Sequence, residues 1–304
     1  MLLDTGQGHQ IYVEQRGEGI PALVLHGGPG SGCTPAHYDL FDLNRFCVTL
    51  MDQRGCGRSQ PNAADQLRAL DRNTTQDLIQ DIEQVRQSLG VDQWVVFGGS
   101  WGSTLAMAYA AAHPHRVSAM VLAGVATTTA RDLQWLYGDI GNLFPEAYDA
   151  FTGHVPEVGA APEDTQARIA AYAARLRDPS VCQAAADAWC QWETAIFGGD
   201  IRQKGSRYAD PRFRLGFARL VTHYFTNGAW LDDGQIQRDV GLIAHIPCTL
   251  IHSRFDPSCP FRAAWDLSRV WHASTLQVLE GMTHSALDTD MKDAVRHATD
   301  ALVL

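Results

Sequence analysis

The pentapeptide Gly98-Gly99-Ser100-Trp101-Gly102 restricts what this chain can fold into more than any other segment. It fits G-x-S-x-G and lies between an apolar run, 94–97, and small residues beginning Ser103-Thr104-Leu105-Ala106. A strand that turns this sharply into a helix forces the central serine into a strained backbone conformation and leaves its Oγ exposed. The flanking glycines are needed because a Cβ there would collide with the neighbouring strand and helix. The competing reading is a Gly- and Ser-rich loop that merely joins strand to helix, and the agreement of motif with context disfavours it.

The rest of the chain supplies the matching framework. Short apolar segments bounded by Gly or Pro alternate with longer stretches of helical period, the pattern of a mostly parallel sheet wrapped by helices. Strands are expected at 11–14, 22–25, 46–51, 94–97, 119–122, 248–252 and 275–279, and helices at 75–89, 103–112, 261–270 and 291–301. Asn73, Thr74 and Thr75 open the first helix and Gly90 stops it. Between Val125 and about Gly241 the alternation lapses into alanine-rich sequence with apolar residues at helical spacing, as in 167–177 and 181–192. The expected organisation is therefore an α/β catalytic domain formed by 1–125 and 242–304, with 126–241 as an inserted helical cap. A chain of 304 residues, 45% hydrophobic, is long enough to bury both.

A serine hydroxyl becomes a useful nucleophile only when a base takes its proton. Of twelve histidines, His284 in Gly281-Met282-Thr283-His284-Ser285 is the one in a loop just past the last strand-like run. His252 falls inside a strand, and His272 and His297 in or beside helices. The orienting acid should end the preceding strand, and Asp256 does so ahead of Pro257 and Pro260. Asp266 is the weaker choice because it falls within the following helix. A helix-capping or turn carboxylate remains the structural alternative for Asp256.

Backbone donors for a developing oxyanion are expected in His26-Gly27-Gly28-Pro29-Gly30, and the two assigned are the N–H groups of Gly28 and Trp101. A phosphate-cradling loop is disfavoured because no Lys-Ser or Lys-Thr pair follows and G-x-G-x-x-G is absent. Asp52-Gln53-Arg54-Gly55-Cys56-Gly57-Arg58-Ser59 looks like active-site sequence, but its expected role is structural: an Asp and an Arg fixing the shape of the glycine loop. Substrate contact is the alternative.

A formal charge of -10, with no basic stripe among 24 Lys and Arg residues, argues against nucleic acid as a partner. Seven cysteines without a C-x-x-C pair resemble neither a zinc site nor a disulfide framework. The N-terminal sequence lacks a basic region followed by an apolar one, and no apolar run reaches the roughly 18 residues needed to span a bilayer. No membrane partner is expected, and the expected location is cytoplasmic.

Taken together, His26-Gly27-Gly28-Pro29-Gly30, Asp52-Gln53-Arg54-Gly55, Gly98-Gly99-Ser100-Trp101-Gly102-Ser103 and Gly281-Met282-Thr283-His284-Ser285 resemble the proline iminopeptidase (prolyl aminopeptidase) family of α/β-hydrolases. The resemblance covers nearly the whole chain, cap segments such as Trp192-Glu193 and Ala218-Arg219 through Gly228 included. It implies the α/β-hydrolase fold and release of an N-terminal proline from a small peptide or amide, with no metal and no organic cofactor. It also implies two cap glutamates that bind the free amine and aromatics that enclose the proline ring. Glu193 matches the first glutamate, whereas the second falls on Val221. One family aromatic falls on Ala126 and another on Leu136, while Tyr137 and Phe225 remain. Losing one of two acceptors leaves a buried amine worse satisfied by roughly 1–3 kcal/mol, and alanine for an aromatic enlarges a pocket. The expected preference is for an acyl group bulkier, or less strictly amino-terminal, than proline. An amidase, esterase or lactonase acting without a free amine shares the same Ser, Asp and His. A non-catalytic receptor would have no chemical need for all three.

Overall fold

Residues 1–303 are described by a computed structural model in which eight strands form one sheet. They are β1 (Leu2–Gly6), β2 (His9–Arg16), β3 (Ile20–Leu25), β4 (Phe46–Asp52), β5 (Trp94–Gly99), β6 (Val117–Ala123), β7 (Cys248–Ser253) and β8 (Ser274–Leu279). The helices are α1 (Thr75–Ser88), α2 (Trp101–Ala112), α3 (Ala130–Tyr137), α4 (Pro145–Gly153), α5 (Thr165–Arg177), α6 (Cys182–Ala195), α7 (Pro211–Thr226), α8 (Gln235–Ile243), α9 (Phe261–Val270) and α10 (Thr289–Asp300). Strand order is β1-β2-β4-β3-β5-β6-β7-β8, antiparallel at the first two junctions and parallel beyond. This is the α/β-hydrolase fold.

The central strands are buried on both faces, which is why they read as continuous apolar runs. In β3, Leu23 and Leu25 face the core shared with α1, α2, α8 and α9, while Ala22 and Val24 face the core shared with α10 and the 3₁₀ turn Pro35–Leu40. The edge strand β1 is not among the strands expected from the sequence. Thr5 is its one buried residue, so it carries no apolar signature. Parallel pairing brings the carboxyl ends of β3, β5, β6 and β7 level, with Leu25 opposite Gly98, Gly98 opposite Leu122, and Ala123 opposite Ile251. Ligands in open parallel sheets bind in the crevice beyond such ends, where the strand order reverses.

Between β6 and β7 the chain contains helices and no strand. Helices α4, α5, α6 and α7 pack on one another around aromatic side chains, with Phe151 stacked on Tyr172 at 4.8 Å and on Trp192 at 5.4 Å. Helix α8 behaves differently and lies against α2 and α9, over the sheet. Among the described residues no helix is long and apolar enough to cross a membrane.

Candidate active site

Ser100 immediately precedes α2 and holds φ 54° and ψ -125°. An L residue keeps such a conformation only when its surroundings impose it. Its N–H donates to the Ala123 carbonyl at the end of β6 (2.9 Å), and its carbonyl accepts from the Ser103 hydroxyl (2.7 Å). A Cβ on Gly102 would lie 2.0 Å from the Leu25 carbonyl oxygen, and one on Gly98 would lie 2.4 Å from the Gly102 carbonyl oxygen. These two glycines let α2 approach the strand ends closely enough to hold Ser100 at a cavity wall.

Asp256 follows β7 and His284 follows β8. His284 Nδ1 lies 2.6 Å from Asp256 Oδ2, and Asp256 Oδ1 accepts from the Ser258 N–H and hydroxyl and the Cys259 N–H at 2.8–3.0 Å. Burial favours the neutral carboxyl, but the imidazole outweighs it and holds Asp256 below its ordinary pKa. At His284 burial works against the charged ring, and the Asp256 charge and hydrogen bond overcome it, so the pKa stands above the usual 6.5. With Nδ1 engaged, Nε2 is left for the cavity that Ser100 also lines. The approach of His284 to the end of β6 requires Gly124, at φ 55°, where a Cβ would lie 3.0 Å from Nδ1. From the segment just after α6, Phe197 stacks on the imidazole at 5.6 Å.

The other histidines of the downstream chain do not line the cavity, although His252 Nε2 lies 3.9 Å from Asp256 Oδ2. His252 is fully buried, accepting from the Val125 N–H at Nδ1 (2.9 Å), with Nε2 2.9 Å from the Cys259 carbonyl. His272 and His297 are exposed, and Asp266 pairs with Arg262 on the surface of α9.

Gly28 and Trp101 line the same cavity, and among the described residues neither backbone N–H has a protein acceptor. Trp101 is the first residue of α2, whose leading N–H groups have no intrahelical partner. The two donors are joined by a residue whose role the sequence concealed. Gln53 donates from its N–H to His26 Nε2 (3.1 Å) and from Nε2 to the His26 carbonyl (2.8 Å), and its Oε1 accepts from the Trp101 indole (3.0 Å). His26 in turn places Nδ1 2.9 Å from the Gly27 carbonyl, and burial lowers its pKa to about 4, so it is a neutral brace.

Asp52 and Arg58 fix the neighbouring loop. Asp52 accepts from the Cys33 N–H (2.8 Å) and from the backbone and Nε of Arg58 (2.9 and 2.8 Å). Arg54 turns away instead and binds Asp81 of α1 through Nε and Nη2 at 2.6 and 2.7 Å.

The cavity measures about 490 Å³, within the range of small-molecule sites. Ala126, Leu136, Tyr137, Glu193 and Phe225 all line it. Val221 does not: it is fully buried in the core, while α7 presents Phe217 and Phe225, one turn to either side, to the cavity. A valine at this position is too short to pass its larger neighbours, which corrects its placement among the substrate-binding residues. Tyr137 donates to Glu193 Oε1 at 2.6 Å, and burial raises the pKa of Glu193, partly offset by that bond. Arg207 and Gln203 also line the cavity; their exposed, polar surroundings in sequence gave no signal of it.

Asp256, Cys259 and His284 place potential metal-ligand atoms within 4.8 Å of one another. Burial raises the pKa of the Cys259 thiol well above its usual value, and both Asp256 oxygens are already engaged in hydrogen bonds. The donor set therefore fits a hydrogen-bonded pair better than a metal centre.

The α/β-hydrolase fold family matches residues 21–290. Proline iminopeptidase of Xylella fastidiosa (strain 9a5c) is 40% identical over 309 residues, covering 99% of this chain and 96% of the relative. Proline iminopeptidase of Neisseria gonorrhoeae is 38% identical, covering 99% and 95%. Among solved structures, an esterase from Exiguobacterium antarcticum superposes with TM-score 0.65 at 18% identity over 99% of this chain and 98% of its own. A proline iminopeptidase from Mycobacterium smegmatis gives 0.61 at 20% identity over 98% and 95%. At those identities the structural likenesses speak for the fold alone.

Proposed function

The chain belongs to the proline iminopeptidase family of α/β-hydrolases, and on that premise we propose that it is a serine aminopeptidase releasing an N-terminal residue from small peptides or amides. Ser100 Oγ attacks the scissile carbonyl as His284 Nε2 takes its proton. Asp256 holds the ring in the tautomer that leaves Nε2 free and stabilises the imidazolium. The N–H groups of Gly28 and Trp101 receive the tetrahedral oxyanion. His284 then protonates the leaving amine, and a water activated by the same ring hydrolyses the acyl-enzyme.

One observation carries the aminopeptidase reading over an esterase or lactonase. A carboxylate, Glu193, lines the same cavity as Ser100 and His284 and is held by Tyr137. A carboxyl group in this wall, whose charged form a neighbouring cation favours, suits the free amine of an N-terminal residue. With Ala126 at the wall, where the family resemblance places an aromatic, the acyl side admits residues bulkier than proline. The unpaired cysteines fit a reducing, cytoplasmic setting.

Arylamides of proline, of alanine and of a larger residue, each with the amine free or acylated, test this reading. Free-amine substrates should be preferred, and proline should hold no strong advantage over the larger residue. Equal cleavage of acylated substrates would move the assignment to an amidase or esterase. A strong preference for unblocked proline would remove the predicted broadening.

A further inference from the structure

The charged groups lining the cavity are unequally committed. His26 and His37 are neutral, their pKa values lowered by burial. Asp132 is taken up by the Thr127 hydroxyl (2.6 Å) and the Thr129 N–H (3.0 Å), and Asp288 by the Thr283 hydroxyl (2.8 Å) and the Ser285 N–H (3.1 Å). Beside the Asp256–His284 pair, this leaves one carboxylate without a capping duty, Glu193, and one permanent cation, Arg207.

Arg207 stands apart from its neighbours in the chain. Arg202, Arg212 and Arg214 pair with Asp200, Asp65 and Asp187, whereas Arg207 has no carboxylate partner among the described residues. Its guanidinium lies 5.2 Å from the Phe213 ring centroid and 5.8 Å from that of Tyr208, and Nη1 donates to the Ser31 carbonyl at 3.1 Å. Those contacts hold the group in place yet occupy one N–H of five. Ser31 lies three residues beyond Gly28, so the free donors stand at the far end of the loop assigned to the oxyanion.

We infer that Arg207 is a carboxylate subsite for the leaving group, so that the cavity selects short peptides bearing both a free amine and a free C-terminal carboxylate, dipeptides foremost. This rests on the reading of Ser100 as nucleophile and Glu193 as amine acceptor. With the acyl residue anchored by its amine, the leaving residue extends from the scissile carbon past the oxyanion loop. An extended dipeptide spans about 7 Å, so its carboxylate is one residue from the reacting bond. A planar guanidinium with unused parallel donors binds a carboxylate in the bidentate manner.

The test compares kcat/KM for a prolyl or alanyl dipeptide with that for the same dipeptide amidated at its C-terminus, alongside the proline and alanine arylamides. The free acid should exceed the amide by about tenfold or more, chiefly through KM, as expected for a charged hydrogen-bonded pair. Arg207→Gln should collapse that ratio toward one, and Arg207→Lys should retain part of it. Arylamide cleavage with equal rates for free and amidated dipeptides overturns the carboxylate subsite and leaves the aminopeptidase reading standing. A free-acid preference that survives Arg207→Gln also overturns the assignment to Arg207. Failure to cleave any arylamide or dipeptide, with no labelling of Ser100 by a fluorophosphonate, overturns both.

Discussion

At the scale of single residues, the site is governed by how two opposed effects settle on His284. Burial favours its neutral form and Asp256 favours the cation, and the carboxylate wins, so the ring titrates above 6.5. A general base works only when unprotonated. Activity should therefore disappear as the pH falls through a midpoint above 6.5 and be complete on the alkaline side. In Asp256→Asn the raising influence is gone and burial remains, so that midpoint should move down, with kcat reduced about 10⁴-fold by loss of the correct tautomer. A pH profile of kcat for an arylamide checks both. A midpoint well below 6.5 in the native protein, or one unmoved in Asp256→Asn, would contradict the coupling. Ser100, Asp256 and His284 were legible in sequence because each sits at a fixed chain position relative to a strand end. The place of Val221 is not legible in the same way: its register on α7 follows from the sequence, but whether a short side chain reaches the cavity depends on Phe217 and Phe225 beside it.

At the scale of elements, the two proposed oxyanion donors belong to different pieces of chain, one to the loop after β3 and one to the first turn of α2. Gln53, just past the end of β4, is hydrogen-bonded to both pieces, through the His26 backbone and ring on one side and the Trp101 indole on the other. Its function is one of positioning. Gln53→Leu should lower kcat about 10- to 100-fold with little change in KM, less than the 10²–10³ that direct loss of an oxyanion donor costs. Affinity for a boronate or aldehyde analogue of the tetrahedral state should fall in parallel, while affinity for the free amino acid product should hold. Trp101→Phe, which removes only the indole N–H, should show the same split, and the double variant should be no worse than the sum of the two. Equal weakening of product and analogue would reduce Gln53 to a merely structural part. The Asp-Gln-Arg-Gly sequence marked this turn as structural. That its glutamine bridges the two pieces depended on two partners, His26 and Trp101, which lie 27 and 48 positions away in the chain.

At the scale of the whole molecule, the helical segment is fastened to the sheet by buried hydrogen bonds more than by surface ion pairs. Asn73 donates to the Ala69 carbonyl (2.9 Å) and accepts from the Tyr224 hydroxyl (2.7 Å), and its carbonyl oxygen lies 3.0 Å from His223 Nε2. Arg219 reaches from α7 to the Ala63 carbonyl at 2.8 Å. By contrast, Arg212 and Asp65 bridge the two parts while each remains about half exposed. Asn73→Ala strands the Tyr224 hydroxyl in a buried site and should cost about 2–3 kcal/mol, whereas Arg212→Ala should cost less than about 1 kcal/mol. Urea denaturation followed by tryptophan fluorescence measures both, and equal losses would show that the surface pair matters as much as the buried network. The sequence by itself determined the alternation of strands and helices, the strained serine turn and the order of serine, acid and base. These are local patterns, written in periodicity, in turn residues and in glycines that a Cβ would displace. Only the tertiary structure decided which side chains share a cavity: that Glu193 and Arg207 enter it and Val221 does not, that Gln53 links two donors, and that α8 belongs with the sheet. Those outcomes depend on packing between segments far apart in the chain, where burial and unspent hydrogen-bonding capacity arise only when the segments meet.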